Sequence, residues 1–118
     1  MYNFIKKEQI ELVIVGPEKP LVEGLVDFLE SKNIKVFGPR KKVAQLEGSK
    51  IFTKKICDKF KIPTANFKIC NSKDVAFEFL SSANFPLVVK ADVIAAGKGV
   101  YICKKIEDAK LALSLIHI

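Results

Sequence analysis

The chain has 118 residues, of which 49% are hydrophobic and 28% charged, the proportions of a globular chain with a packed core rather than of a disordered one. Its 20 Lys+Arg against 13 Asp+Glu give a net charge of +7, which favours an anionic ligand: a nucleotide, a nucleic acid or a phosphorylated metabolite. No apolar run approaches the length of a membrane span, and the charged start MYNFIKKEQI does not read as a signal peptide, so neither membrane nor export is expected.

The predicted elements alternate. ELVIV (11–15) is a β-branched run that stops at Gly16-Pro17, and Leu21, Leu25, Val26, Phe28 and Leu29 follow at helical spacing. IKVFG (34–38) is a second strand ended by Gly-Pro. A strand, helix, strand unit implies parallel strands, and ligands of such sheets gather beyond the carboxyl ends, where GPEKP and GPRKK fall. Pro39 and the basic residues Arg40, Lys41 and Lys42 then interrupt the apolar pattern, which places a domain boundary near 39–48. Ser49 is a candidate N-cap for a helix carrying Ile51, Phe52, Lys55, Ile56 and Phe60, closed before Ile62-Pro63. ANFKIC (65–70) reads as a strand, 72–82 as a helix, PLVVKA (86–91) as a strand pairing with GVYIC (99–103), and the segment from Ile106 as a closing helix.

Cys57, Cys70 and Cys103 have no CxxC spacing and only His117 as a histidine partner, which argues against a metal cluster and for reduced, buried thiols in a cytoplasmic protein. The basic residues are dispersed over several elements, and the nine phenylalanines fall mostly at core spacings, as at Phe28 and Phe77. A non-catalytic basic module binding nucleotide or nucleic acid is therefore the alternative reading, and a distant one, since such modules interleave aromatic and basic residues on one sheet face.

The stretch VVKADVIAAGKGVYIC (88–103) carries the chemistry. Ala95, Ala96, Gly97 and Gly99 form a side-chain-poor loop whose backbone N–H groups can approach a phosphate chain, with Lys98 as a mobile charge. Lys90 ends the preceding strand, following the apolar run Leu87-Val88-Val89 of a strand expected to be buried, and reaches the same anion if it faces the ligand side. The spacing is neither GxxxxGK[ST] nor GxGxxG, and an ordinary hairpin turn explains the loop alone equally well.

Three blocks, LVIVGPEKPLVEGLVDFLE, VFGPRKKVAQLEGSKIFTKKICDKFKIPTA and PLVVKADVIAAGKGV, together resemble the phosphoribosylamine–glycine ligase (glycinamide ribonucleotide synthetase) family of ATP-grasp enzymes. The resemblance implies an α/β fold: a partial Rossmann-like, pre-ATP-grasp parallel sheet in 1–45, followed in 46–118 by the first part of an ATP-grasp domain. It implies a ligase of purine biosynthesis that joins glycine to 5-phosphoribosylamine through a glycyl phosphate, with ATP and Mg²⁺ or Mn²⁺. Its substrates would be small molecules, with no nucleic acid and no membrane.

By the same resemblance Lys50, Lys90, Asp92 and the loop Ala95, Ala96, Gly97, Lys98, Gly99 bind ATP. Gly16, Pro17 and Glu18 face the substrate. Asp92 as a turn residue and Glu18 as a charge at a helix start are the plainer readings. Val93 stands where the family usually has glycine. The chain is expected to be an internal piece whose metal ligands lie outside it, leaving it without ligase turnover of its own.

Overall fold

A computed structural model describes residues 1–94 and 99–116, in two compact units, Met1–Lys61 and Ile62–Ile118. Each is built as an α/β unit.

The first unit runs α1 (Tyr2–Lys7), β1 (Val13–Ile14), α2 (Glu18–Glu23), α3 (Leu25–Ser31), β2 (Val36–Phe37), α4 (Lys41–Gly48) and α5 (Lys50–Lys59). β1 and β2 are parallel, with Val13 opposite Val36 and Ile14 opposite Phe37. Since side chains alternate across a strand, Val13 and Val36 pack on the core of Val15, Leu21, Val26 and Ala44, while Ile14 and Phe37 stay exposed on the other face. The single helix expected after Gly16-Pro17 is two: Gly24 adopts φ 93°, a left-handed conformation that glycine takes without a Cβ penalty, and it ends α2 and starts α3.

Two helices fall where none was expected. α1 occupies the charged start. α4 occupies most of the interval 39–48, with Arg40 as its N-cap and Lys41 and Lys42 as its first two residues, so the basic run opens a helix. α4 packs on α2 so closely that a Cβ built on Gly48 would lie 2.7 Å from Val22 Cγ2. The expected N-cap of α5 is present: Ser49 Oγ accepts the Phe52 N–H at 3.0 Å, satisfying one of the helix's orphan donors. Thr53 donates its hydroxyl to the Leu46 carbonyl, tying α5 to α4.

The second unit contains α6 (Lys73–Leu80), β3 (Leu87–Lys90), β4 (Val100–Cys103) and α7 (Ile106–Leu115). Ser72 Oγ caps α6 through the Val75 N–H at 3.3 Å, and Asp108 caps α7 by accepting the Lys104 and Lys105 N–H groups at 3.0 and 3.2 Å. β3 and β4 pair antiparallel, and one face of the hairpin closes on a core of Ala76, Leu80, Cys103, Ala109, Ala112 and Leu113.

Three expectations are corrected. Residues 65–70 are not a strand: the alternation of Ala65, Phe67 and Ile69 imitates one, but β3 pairs only with β4 among the described residues, and most of the segment is exposed. Phe28 and Phe77, assigned to cores by spacing, are 44% and 40% exposed, because the buried stripes of α3 and α6 run through Val26 and Leu29 and through Ala76 and Leu80. The three thiols are free, but only Cys103 is buried, while Cys57 and Cys70 are half-buried.

Candidate nucleotide-phosphate site

The hairpin determines where Lys90 points. In β3 the alternation sends Leu87 and Val89 toward the core and Val88 and Lys90 outward; in β4 Tyr101 and Cys103 go inward, and Val100 and Ile102 outward. The antiparallel register sets Lys90 opposite Val100 and Val88 opposite Ile102. The strand expected to be buried is therefore covered on one face only. Its open face is an apolar platform, with Val88 47% and Ile102 74% exposed, that ends in an ammonium group. Chemically such a face suits a ligand that is flat and apolar at one end and anionic at the other.

Just beyond Lys90 the Ala91 N–H donates to the Gly99 carbonyl at 2.8 Å, closing the mouth of the hairpin. Gly99 has φ 72°, so a residue with a side chain is strained there. Asp92 and Val93 lie in the bend directly after the strand end, and Val93 is exposed. Ala95, Ala96, Gly97 and Lys98 lie outside the described residues.

The remaining candidates belong to the first unit. Lys50 is the first residue of α5 and half-buried, in a helix with no acid in its first turn, so the positive end of the helix dipole and the ammonium add to one local field. Gly16, Pro17 and Glu18 sit exposed at the carboxyl end of β1. Pro17 is the N-cap of α2, Glu18 its first residue, and no atom stands within 4 Å of a Cβ placed on Gly16. The plainer role expected of Glu18, a charge at a helix start, matches its position.

Arg40 is engaged: its Nε donates to Glu30 Oε2 at 2.7 Å, and that hydrogen bond, with the charge of Glu30, raises the guanidinium pKa further. Among the described residues no three His, Cys, Asp or Glu side chains come together as metal ligands, so no step is assigned to a metal held by them. No helix among them is long and apolar enough to cross a membrane.

Sequence reasoning singled out Lys90 but missed its neighbours Val88, Val100 and Ile102. For Val88 the signal was present in the period of two, since a residue two away on the same strand shares the lysine's face, whereas Val100 and Ile102 join that face through the register with β4.

Two family models match successive parts of the chain, meeting between residues 47 and 48 and not where the two compact units meet. Residues 1–47 match the family model described as phosphoribosylglycinamide synthetase, N domain, and residues 48–117 that described as phosphoribosylglycinamide synthetase, ATP-grasp (A) domain. The phosphoribosylamine–glycine ligase of Caldanaerobacter subterraneus subsp. tengcongensis is 47% identical over 97% of the chain, and that of Clostridium acetobutylicum 46% over 95%. The chain spans 27% and 26% of those two proteins, about a quarter of their length.

Among solved structures, the phosphoribosylamine–glycine ligase of Thermotoga maritima superposes with a TM-score of 0.60 at 41% identity, over 64% of this chain and 19% of that one. The biotin carboxylase domain of Hydrogenobacter thermophilus 2-oxoglutarate carboxylase, solved with MgADP, ADP and bicarbonate, has a TM-score of 0.74 at 22% identity, over 92% of this chain and 25% of that one, a likeness of fold alone. With both domain models matched in succession, the chain belongs to the phosphoribosylglycinamide synthetase family.

Proposed function

We propose that this chain supplies the sugar-phosphate end and the first nucleotide-phosphate contacts of a cytoplasmic phosphoribosylamine–glycine ligase. That enzyme joins glycine to 5-phosphoribosylamine and gives glycinamide ribonucleotide, ADP and phosphate through a glycyl phosphate. The observation that carries the reading is the open face of the β3–β4 hairpin, where Lys90 terminates a platform of Val88, Val100 and Ile102. The relatives named as this ligase support the chemistry.

The division proposed is 1–45 for the N-terminal domain and 46–118 for the ATP-grasp part. The base of ATP lies along the apolar pairs, and Lys90, fixed by the strand, meets the phosphates. Bringing a carboxylate to a triphosphate sets anion against anion, so a lysine held in place before binding lowers the cost of that approach. Lys50, the first residue of α5, is the other lysine proposed to bind ATP. Asp92 and the loop Ala95, Ala96, Gly97, Lys98 and Gly99 complete the phosphate side, and Gly16, Pro17 and Glu18 face the amino sugar. Mg²⁺ or Mn²⁺ would enter with the nucleotide and neutralise its phosphate charge.

Steady-state assay of the full-length protein tests this. ADP formation that requires both glycine and phosphoribosylamine is the expected result, and ADP formation indifferent to either would overturn it. The 118-residue chain by itself is expected to show no turnover, since transfer of a phosphoryl group needs more charge neutralisation than these lysines provide.

A further inference from the structure

The connection from β2 to α4 is held by two carboxylates of one helix. Asp27 and Glu30, one turn apart on α3, reach residues adjacent in sequence: Asp27 Oδ2 accepts the Lys41 N–H at 2.7 Å, and Glu30 Oε2 accepts Arg40 Nε at 2.7 Å. From the other side Gly38 is pressed against the sheet and α2. A Cβ built there would lie 3.0 Å from Leu21 Cδ2 and 3.6 Å from Val15 Cβ. Val15 precedes Gly16-Pro17, and its N–H donates to the Phe37 carbonyl at 3.0 Å, so the two Gly-Pro segments leave β1 and β2 side by side.

These contacts carry two consequences. Asp27 accepts the first N–H of α4 and Glu30 engages the Arg40 guanidinium, so these two donors at the helix opening are held from within the unit. Beside them, the backbone edges of Gly16-Pro17 and Gly38-Pro39 lie at the carboxyl ends of the two strands. Exposed ion pairs contribute little to stability, which leaves orientation of the connection as the larger effect of this pair.

We infer that Asp27 and Glu30 are positioning residues, which clamp the β2–α4 connection so that the paired Gly-Pro edges are preformed for the phosphorylated sugar. This rests on the ligase reading above: the nucleotide is assigned to the hairpin of Lys90, and the anionic substrate left for the strand ends of the first unit is the sugar phosphate.

The experiment compares Asp27→Ala, Glu30→Ala, Asp27→Asn and Glu30→Gln in the full-length protein, with thermal melts and separate KM values for phosphoribosylamine and ATP. The alanine variants are expected to raise KM for phosphoribosylamine about tenfold or more, leaving kcat and KM for ATP within about twofold and the melt nearly unchanged. The Asn and Gln variants keep an acceptor oxygen and are expected to recover most of the loss. An unchanged KM for phosphoribosylamine in folded alanine variants overturns the inference, as does a lowered melting temperature with that KM unchanged. If an alanine variant does not fold, Arg40→Ala, which breaks the Glu30 contact from the other side, decides by the same KM. Failure of the wild-type protein to require phosphoribosylamine would instead overturn the ligase reading, and this inference with it.

Discussion

Lys90 stands directly across the hairpin from Val100, and both side chains leave the sheet on the face opposite the core. Because the lysine is fixed by a strand and is not packed on the core, removing its charge should disturb binding without disturbing the fold. In the full-length protein, Lys90→Ala is expected to raise KM for ATP by about 10- to 100-fold, the value of one or two charge-assisted hydrogen bonds, with an unchanged melting temperature. Unchanged ATP kinetics in the folded variant would return the segment to an ordinary hairpin.

The two faces of β3 make a sharper contrast. Val89 packs against the Ala76–Leu113 core, and Val88 lies on the open platform. A carboxylate at Val89 must either be buried or force the strand off its helices, so Val89→Asp is expected to cost about 3 kcal/mol or more and to unfold the second unit. Val88→Asp should leave circular dichroism and melting nearly intact and weaken ATP binding, since it sets a charge on the apolar platform proposed for the base, two residues from Lys90. Equal destabilisation by both substitutions would contradict the one-sided burial of the hairpin.

Much of this arrangement was legible in the sequence, for identifiable reasons. Ser49 is a cap with a hydroxyl placed three residues before a needed N–H, a local relation that spacing alone reveals, whereas Ser72, read as part of the helix, is its cap. The pairing of 86–91 with 99–103 followed from two apolar runs around a glycine-rich interval. Relations made through space were not legible. Arg40 to Lys42 looked like a break because their partners, Asp27 and Glu30, lie 10 to 14 residues earlier, and nothing in the local pattern shows that these acids stabilise a helix start there. Residues 65–70 have the composition of a strand, and composition does not say whether a neighbouring edge is available. Lys90 was readable as a candidate, but which residues of β4 stand beside it depended on the register.

Gly48 ends α4 where that helix meets α2, and the expected effect of adding a methyl group there has two opposing parts. Alanine is the better helix former by up to about 1 kcal/mol, less at a helix end. Its Cβ, however, would lie 2.7 Å from Val22 Cγ2 and 3.2 Å from Cγ1, and a β-branched side chain has few rotamers by which to yield. The clash is the larger effect: Gly48→Ala is expected to destabilise the first unit by about 1–3 kcal/mol. Val22→Ala in the same chain should recover a large part of that loss, measured by urea unfolding of the single and double variants, and additive losses would show that the two residues do not touch.

Val93 poses the final test, because the resemblance leads one to expect glycine there. Two effects of Val93→Gly can be separated by where the valine sits. Were it part of the core, losing its side chain would cost about 2 kcal/mol or more through the cavity left behind. It is instead 53% exposed in the bend after β3, outside both cores, so the folded-state cost should be small. What remains is the added backbone freedom of glycine in the unfolded chain, worth about 0.4–1 kcal/mol. The substitution is therefore expected to lower stability by no more than about 1 kcal/mol. It should change KM for ATP more than KM for phosphoribosylamine, because the bend directly follows Lys90, the lysine proposed to meet the phosphates. Urea unfolding and two-substrate kinetics check both parts. A loss of about 2 kcal/mol or more would mean that Val93 packs as a core residue, and an altered KM for phosphoribosylamine alone would remove the bend from the nucleotide side.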